Sequence, residues 1–184
     1  YEYFRKAILR ESIKTDKEIR DWIMEIDESY FWARRVRWKR WRGASWKTKV
    51  LGVLKREGKV YVQIVEDCSA KSLLPIIRGK VDPEKSVVNT DWRRSYDGLI
   101  DLWYEKHYRV HHWKNEFVRW KKHINGIESF RSFTKRRLAK FNWVPSDKFV
   151  LHLKECEYRF NCRLEWENMY NKLLKLLRNY SKAF

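Results

Sequence analysis

Cysteine is scarce in this chain, and the three that occur form no recognisable site. Cys68, Cys156 and Cys162 are odd in number and lack metal-ligand spacing. This argues against a disulfide-stapled secreted domain or a zinc ribbon and is typical of reduced thiols in a cytosolic protein. Apolar runs of membrane-spanning length and a signal peptide are also lacking, so we expect no membrane partner.

Glycine is scarce as well, and the motifs that depend on it are missing. The six glycines form no phosphate-binding loop, and there is no nucleophile elbow or Cys-x-x-Cys pair. The five histidines show no metal-ligand spacing such as His-Glu-x-x-His. The sequence therefore gives no support to a nucleotide-binding loop, a serine hydrolase or a zinc protease.

Acidic residues are the minority among the charged ones. The 184 residues include 42 lysines and arginines against 24 acidic residues, which leaves a net charge of +18. Such an excess causes self-repulsion in the folded state and favours a polyanionic partner. Because the basic residues are spread along the whole chain, they suit a surface that follows a nucleic-acid backbone. The length is that of one ordinary domain.

The order of the predicted elements indicates an α/β layered domain. Residues 1–20 carry a charged helical pattern, and a short strand over 23–26 is expected to end at Asp27. A glycine-containing turn joins strands over 50–54 and 60–65, as in a hairpin. Ser69 is expected to cap a helix that continues to about residue 80. The other predictions are a basic loop over 34–49, strands over 86–89 and 108–111, and helices over 96–102, from 125 onward, and across 149–160 and 169–180.

The stretch from residue 123 to 135 predicts a helix with two distinct faces. Apolar or small residues recur at steps of three and four, as on a buried face. These residues are Ile127, Phe130, Thr134 and Leu138. Polar residues fall on the other face at similar steps. These are Asn125, Glu128, Arg131 or Ser132, and Lys135.

Three acidic residues stand where carboxylates can act together. Asp27 and Asp91 each follow a predicted strand, and parallel strands would bring both to the carboxyl edge of the sheet, where open α/β folds place their sites. Glu128 lies on the polar face of the predicted helix. Oxygen ligands of this kind hold two divalent cations about 3.5–4 Å apart during phosphodiester cleavage. Simpler roles stay open: Asp27 capping a turn, Asp91 capping a helix, and Glu128 pairing with Lys135.

A series of short motifs runs through residues 20–165. They are Asp27-Glu28-Ser29-Tyr30-Phe31, Lys59-Val60-Tyr61, Leu73-Leu74-Pro75-Ile76-Ile77, Thr90-Asp91, Ser95-Tyr96-Asp97-Gly98-Leu99, Asn115-Glu116-Phe117-Val118, His123-Ile124-Asn125-Gly126-Ile127-Glu128-Ser129-Phe130, Lys135-Arg136 and Glu157-Tyr158-Arg159-Phe160-Asn161. In this order and without gaps, they resemble the DDE transposases of a bacterial insertion-sequence family related to the Merlin elements, the ISXO2-like transposases.

The resemblance implies a ribonuclease-H-like fold: a mixed sheet of three antiparallel and two parallel strands, flanked by helices. It implies a DDE-type transposase that uses two Mg²⁺ (or Mn²⁺) ions for DNA strand cleavage and strand transfer. Asp27, Asp91 and Glu128 would be its catalytic residues and metal ligands. The partners would be double-stranded DNA, at transposon ends and target, and further copies of the chain assembled on that DNA. The expected location is the bacterial cytoplasm, at the nucleoid.

Two other functions and a domain organisation accompany this interpretation. The alternatives are an inactive DNA-binding remnant of a decayed element and a structure-specific nuclease of the same fold. The catalytic domain is expected over residues 21–165, and residues 166–184 as a C-terminal helix. Residues 1–20 would be a linker or the tail of a missing N-terminal DNA-binding domain.

Basic and amide side chains are the candidate DNA contacts. By the resemblance, Lys135 contacts DNA near the scissile end, and Asn125 is a further candidate because some members use asparagine in place of the third acid. The remaining candidates are cations that suit phosphate, two on the same helix and three in the basic loop. They are Arg131, Arg136, Arg37, Lys39 and Arg40.

Tryptophan is abundant where the family usually has glycine: eleven tryptophans stand against six glycines. Ten occupy such positions, namely Trp22, Trp32, Trp38, Trp41, Trp46, Trp92, Trp103, Trp113, Trp120 and Trp143. They could stack on DNA bases. Our favoured hypothesis is that a codon read as glycine in the source organism is rendered here as tryptophan. Arg93 and Arg131, in contrast, stand where the family tends to have tryptophan.

Overall fold

The computed structural model describes residues 1–14, 22–31, 47–91, 107–110, 123–141, 144–165 and 168–181. The elements in these ranges are α1 (Glu2–Lys14), β1 (Trp22–Phe31), β2 (Thr48–Lys55), β3 (Val60–Val65), α2 (Ala70–Lys80), β4 (Ser86–Asp91), β5 (His107–Val110), α3 (Asn125–Leu138), α4 (Ser146–Cys162) and α5 (Met169–Ser181). The predicted helix over 96–102, nearly all of the basic loop and every tryptophan side chain lie outside the described part of the chain.

The strands form one mixed sheet in the order β3-β2-β1-β4-β5. β2 pairs antiparallel with both β1 and β3, and β4 pairs parallel with both β1 and β5. The predicted ribonuclease-H-like arrangement of three antiparallel and two parallel strands flanked by helices is thereby confirmed. The hairpin closes where its sequence indicated, with the Gly58 amide donating to the Lys55 carbonyl at 2.8 Å.

β1 does not end at Asp27, so that prediction is wrong. The strand continues to Phe31, because its second half pairs with β2 from Glu28 opposite Leu51 to Phe31 opposite Thr48. Its pairing with β4, in contrast, stops at Ile26. Asp27 therefore lies where β1 loses one of its two neighbours. β2 likewise begins at Thr48, inside the stretch that was expected to be loop.

Alternation along the strands divides the core into two layers. Met24 and Ile26 of β1 pack with α2 on one face of the sheet. Phe31, Val50 and Leu54 pack with α3 and α4 on the other. The buried face predicted for α3 is confirmed, and its residues are Ile127, Phe130, Thr134 and Leu138. The buried residues of α4 recur at similar steps and include Phe149, Leu153, Cys156 and Phe160. The predicted cap of α2 is confirmed as well, because the Ser69 side chain accepts from the Ser72 amide.

Side chains of α4 satisfy the open edge of the sheet at β3. The Val60 amide donates to Asn161 Oδ1 at 2.8 Å, and its carbonyl accepts from Asn161 Nδ2 at 2.9 Å. Two residues further along the same edge, the Val62 amide donates to Glu157 Oε2 at 2.8 Å. These side chains occupy the place of a further strand, which protects the edge from pairing with another chain.

The N-terminal helix α1 packs against α4 and α5. Ala7 and Ile8 are buried there, and Arg5 forms an ion pair with Glu155 at 2.8 Å. None of the helices within the described ranges is long and apolar enough to cross a membrane.

Candidate active site

Helix α3 carries Glu128 in its first turn. Its buried side, including Ile127 and Phe130, packs into the core layer between the sheet and α4. The other side of the helix points outward, and Glu128 is partly exposed there. The local period of the sequence therefore decides which way the carboxylate faces.

The parallel strands β1 and β4 bring two aspartates to the same level of the sheet. Ile26 and Thr90 are opposite each other in the last pair of the ladder, and Asp27 and Asp91 follow them directly. The predicted parallel pairing of these strands is confirmed. Asp27 faces the α3 side of the sheet, because its carboxylate contacts Arg131 of that helix.

One cavity of about 240 Å³ lies at this edge of the sheet. It is lined by Asp27, Asp91, Ile124, Glu128 and Arg131. The three carboxylates that the sequence nominated thus come from three different elements and line the same small space. The cavity therefore brings together side chains that are far apart in the sequence.

Arg131 reaches into this cavity and contacts two of the carboxylates. Its Nη1 lies 2.6 Å from Asp27 Oδ2, and its Nη2 lies 3.9 Å from Glu128 Oε1. The first contact is a short, charge-assisted hydrogen bond, whereas the second is at the limit of an ion pair. Glu128 therefore has Arg131 as a neighbour one turn away.

Burial raises the pKa of Asp27 from 3.8 to about 6. The side chain is almost completely enclosed, and the negative charges of Glu28 and Asp91 raise the pKa further. The Arg131 guanidinium and the Glu28 backbone amide act in the opposite direction. Desolvation disfavours the ionised carboxylate more than these groups favour it. An additional positive charge next to Asp27 would therefore stabilise its ionised form.

The donor set at the cavity matches a hard divalent cation in its chemistry. All three donors are carboxylates, the ligands that Mg²⁺ and Mn²⁺ prefer, and the partly open cavity leaves room for water and phosphate. Across the described ranges, however, no three His, Cys, Asp or Glu side chains are grouped closely enough to hold an ion. In this arrangement the Arg131 guanidinium balances the negative charge of Asp27.

The candidate DNA contacts divide into two groups. Asn125, Lys135 and Arg136 are exposed on α3. Although Lys135 is exposed, partial desolvation of its ammonium group, together with the charges of Arg131 and Lys47, lowers its pKa, whereas Asp27 acts against them. Lys135 is therefore electrostatically coupled to the cavity. The basic-loop candidates Arg37, Lys39 and Arg40 lie outside the described residues.

Sequence reasoning missed a second acidic residue on the same face of β1. Glu25 has no exposed surface and forms an ion pair with Arg56 at 2.9 Å. It also accepts a hydrogen bond from the Ile127 amide at 3.0 Å. The sequence did contain one indication of its burial: Glu25 lies two residues before Asp27, so alternation along the strand places both side chains on the same inward face.

Comparison with known proteins relates this chain to a transposase family. A family model described as the ISXO2-like transposase domain matches residues 21–161. An uncharacterized transposase-like protein of Haemophilus influenzae is 47% identical over 103 residues, which cover 56% of this chain and 81% of that protein. A chain in the cryo-EM structure of a simian T-cell lymphotropic virus intasome, in complex with the PP2A regulatory subunit B56 gamma, aligns with a TM-score of 0.43 and 11% identity. That alignment covers 74% of this chain and 47% of the other, so the chain spans about half the length of that structure.

Proposed function

This chain belongs to the ISXO2-like transposase family, and we propose that it is the catalytic domain of a transposase that cleaves DNA strands at insertion-sequence ends and transfers them to target DNA. The observation that carries this proposal is the cavity lined by Asp27, Asp91 and Glu128. Three carboxylates from β1, β4 and α3 on one cavity suit phosphodiester chemistry better than they suit turn or helix capping.

Each side chain has a distinct role in the proposed reaction. Asp27, Asp91 and Glu128 would hold two Mg²⁺ or Mn²⁺ ions. When bound, such ions polarise the scissile phosphoryl group and activate the attacking oxygen. Lys135, exposed on the same helix and electrostatically coupled to Asp27, would orient the phosphate near the cavity. Arg131 would exchange its contact with Asp27 for one with DNA phosphate.

The whole chain would supply the longer-range attraction to DNA. Its net charge of +18 favours a polyanion, and Arg131 of α3 lines the cavity. Asn125, Arg136 and the basic loop with Arg37, Lys39 and Arg40 are the further contacts that we propose. An element has two ends, and we propose that copies of the chain assemble on DNA to process them.

Strand joining is the reaction that separates a transposase from the two alternative functions. Linear DNA that carries the terminal sequences flanking the gene is incubated with the protein, Mg²⁺ and a circular target. We expect end cleavage followed by joining of the freed hydroxyl end to the target. A matched substrate with scrambled ends is expected to give no joined product.

The other outcomes identify the alternatives. Cleavage that ignores the terminal sequence and gives no joining would indicate a structure-specific nuclease. DNA binding without cleavage in either Mg²⁺ or Mn²⁺ would indicate an inactive remnant.

A further inference from the structure

The start of α3 is held by side chains from the sheet rather than by a cap of its own. Its N-cap residue, Ile124, makes no side-chain capping hydrogen bond. The first amides of a helix have no partner within the helix and carry partial positive charge. Glu25 of β1 supplies the missing acceptor, because its Oε2 accepts from the Ile127 amide at 3.0 Å.

Glu25 is a costly residue at this position. Its relative exposure is 0%, and a carboxylate buried this deeply destabilises a fold unless it is paired and hydrogen-bonded. The pairing is provided by Arg56, whose Nε donates to Glu25 Oε1 at 2.9 Å. The two carboxylate oxygens thus have different partners: one binds the hairpin turn, and the other binds the helix.

Arg56 extends the same network to the residue that precedes the helix. Its Nη2 donates to the His123 carbonyl at 2.7 Å, and its own backbone amide donates to the Ile23 carbonyl at 2.8 Å. The His123 Nδ1 also lies 3.6 Å from Glu25 Oε1. The chain entering α3 is therefore tied to β1 through both Glu25 and Arg56.

The helix approaches the sheet closely at this point, which leaves little freedom in its position. A Cβ added to Gly126 would lie 2.5 Å from Leu54 Cδ2 and 2.8 Å from Glu25 Oε2. A Cβ added to Gly52 would lie 2.8 Å from Ile127 Cδ1. Glycine at both positions allows the contact between Glu25 and the helix to form.

We infer that Glu25 is a positioning residue for the active site: by holding the first turn of α3 against β1, it fixes Glu128 relative to Asp27. The residue whose amide it binds, Ile127, directly precedes Glu128 in the chain. Asp27 lies two residues after Glu25 on the same face of the same strand. The buried Glu25 carboxylate thus connects β1, which carries Asp27, with α3, which carries Glu128. This inference rests on the proposed function, since it concerns the geometry of that site.

The test compares Glu25→Ala and Glu25→Gln with a matched control, Glu157→Ala. Glu157 is also a buried carboxylate that accepts from a backbone amide, that of Val62 at 2.8 Å, and pairs with Lys154 at 2.7 Å. It holds the far edge of the sheet instead of α3. Two quantities are measured in all variants: amide hydrogen exchange at Ile127 and the cleavage rate per folded molecule with Mg²⁺.

We expect Glu25→Ala to speed exchange at Ile127 at least about 10-fold, because a hydrogen bond to a charged acceptor is lost. Cleavage should fall on the order of 100-fold, as for a site displaced by about 1 Å. Glu25→Gln keeps an oxygen for the Ile127 amide and should restore much of both quantities. Glu157→Ala should leave exchange at Ile127 and cleavage per folded molecule within about 3-fold of the wild type, because Glu157 lies at the far edge of the sheet, where its hydrogen bonds join it to Val62 and Lys154.

Three results would overturn the inference. One is unchanged exchange at Ile127 in Glu25→Ala. Another is an equal loss of cleavage in Glu157→Ala, which would make the effect one of stability alone. The third applies if Glu25→Ala fails to fold. The inference is then contradicted if the Ile127 amide of folded Glu25→Gln exchanges as fast as it does in the unfolded chain. A wild-type protein that cleaves nothing would refute the proposed function, while the exchange measurements would still test the role of Glu25.

Discussion

Replacing Asp27 with asparagine is expected to stabilise the protein while removing a group that we assign to catalysis. The pKa of Asp27 is raised to about 6, so the folded state holds its proton more tightly than the unfolded state does. The contribution of this side chain to stability is therefore most favourable below pH 4. It is lost as the pH rises through about 6.

The size of the effect follows from the shift. Raising the pKa of Asp27 from 3.8 to about 6 lowers the free energy of unfolding at neutral pH by roughly 3 kcal/mol, at about 1.4 kcal/mol per pKa unit. The attraction of Arg131 is already included in this figure, because it is one of the causes that set the pKa of Asp27. We expect a net gain of about 2–3 kcal/mol at pH 7.5 and much less at pH 4.

Urea denaturation between pH 4 and 8, with a chelator present to remove divalent cations, measures this difference. Asp67→Asn is the control with the opposite sign, because hydrogen bonds from Ser69 lower the pKa of the exposed Asp67 to about 2. That variant should be less stable than the wild type by an amount that stays constant from pH 5 to 8. A gain in Asp27→Asn that does not change with pH, or a loss above pH 7, would refute the reasoning.

Three further predictions concern the cations and the tryptophans. Arg131→Ala should bind Mn²⁺ several-fold more tightly in titration calorimetry, because a competing guanidinium leaves Asp27; unchanged or weaker binding would show that Arg131 does not compete. Lys135→Ala should lower cleavage on the order of 100-fold while DNA affinity changes only a few-fold, and wild-type affinity should fall steeply with salt in fluorescence titrations. A salt-independent affinity, or equal losses of affinity and cleavage, would contradict this. Peptides of the native protein that span Trp38, Trp41 and Trp46 should show the mass of glycine in mass spectrometry; tryptophan masses there would end the recoding hypothesis.

The features predicted well from the sequence depend on neighbours in the chain. The buried and exposed faces of α3 follow from steps of three and four residues, and the hairpin follows from alternation on both sides of Gly58. The parallel pairing of β1 with β4 could be inferred because few topologies fit the order of elements.

The features that were missed depend on partners far away in sequence. The extent of β1 beyond Asp27 is decided by β2, since Glu28 and Ser29 carry no strand pattern of their own. Glu25 is buried because Arg56 and the Ile127 amide, 31 and 102 residues away, satisfy its carboxylate. No local pattern reveals that a charged residue in a strand has such partners.

Arg131 illustrates a further limit of reading a helix face by itself. The sequence placed it beside Glu128 as a candidate for phosphate binding, and that role stays a prediction. Its contact with Asp27 at 2.6 Å joins residues 104 positions apart and could not be inferred from the period of α3. Because of this contact, a divalent cation that binds Asp27 would compete with the Arg131 guanidinium.

Mg²⁺-dependent cleavage by Asp27→Asn, Asp91→Asn and Glu128→Gln, measured beside DNA binding, tests the central claim most directly. The surface variant Asp67→Asn serves as the control for the same chemical change. The three site variants should each lose at least about 100-fold in cleavage rate, while their DNA affinity stays within about 3-fold of the wild type and the control keeps full activity. Near-normal cleavage by any of the three, or a loss of affinity equal to the loss of cleavage, would contradict the assignment of these carboxylates to catalysis.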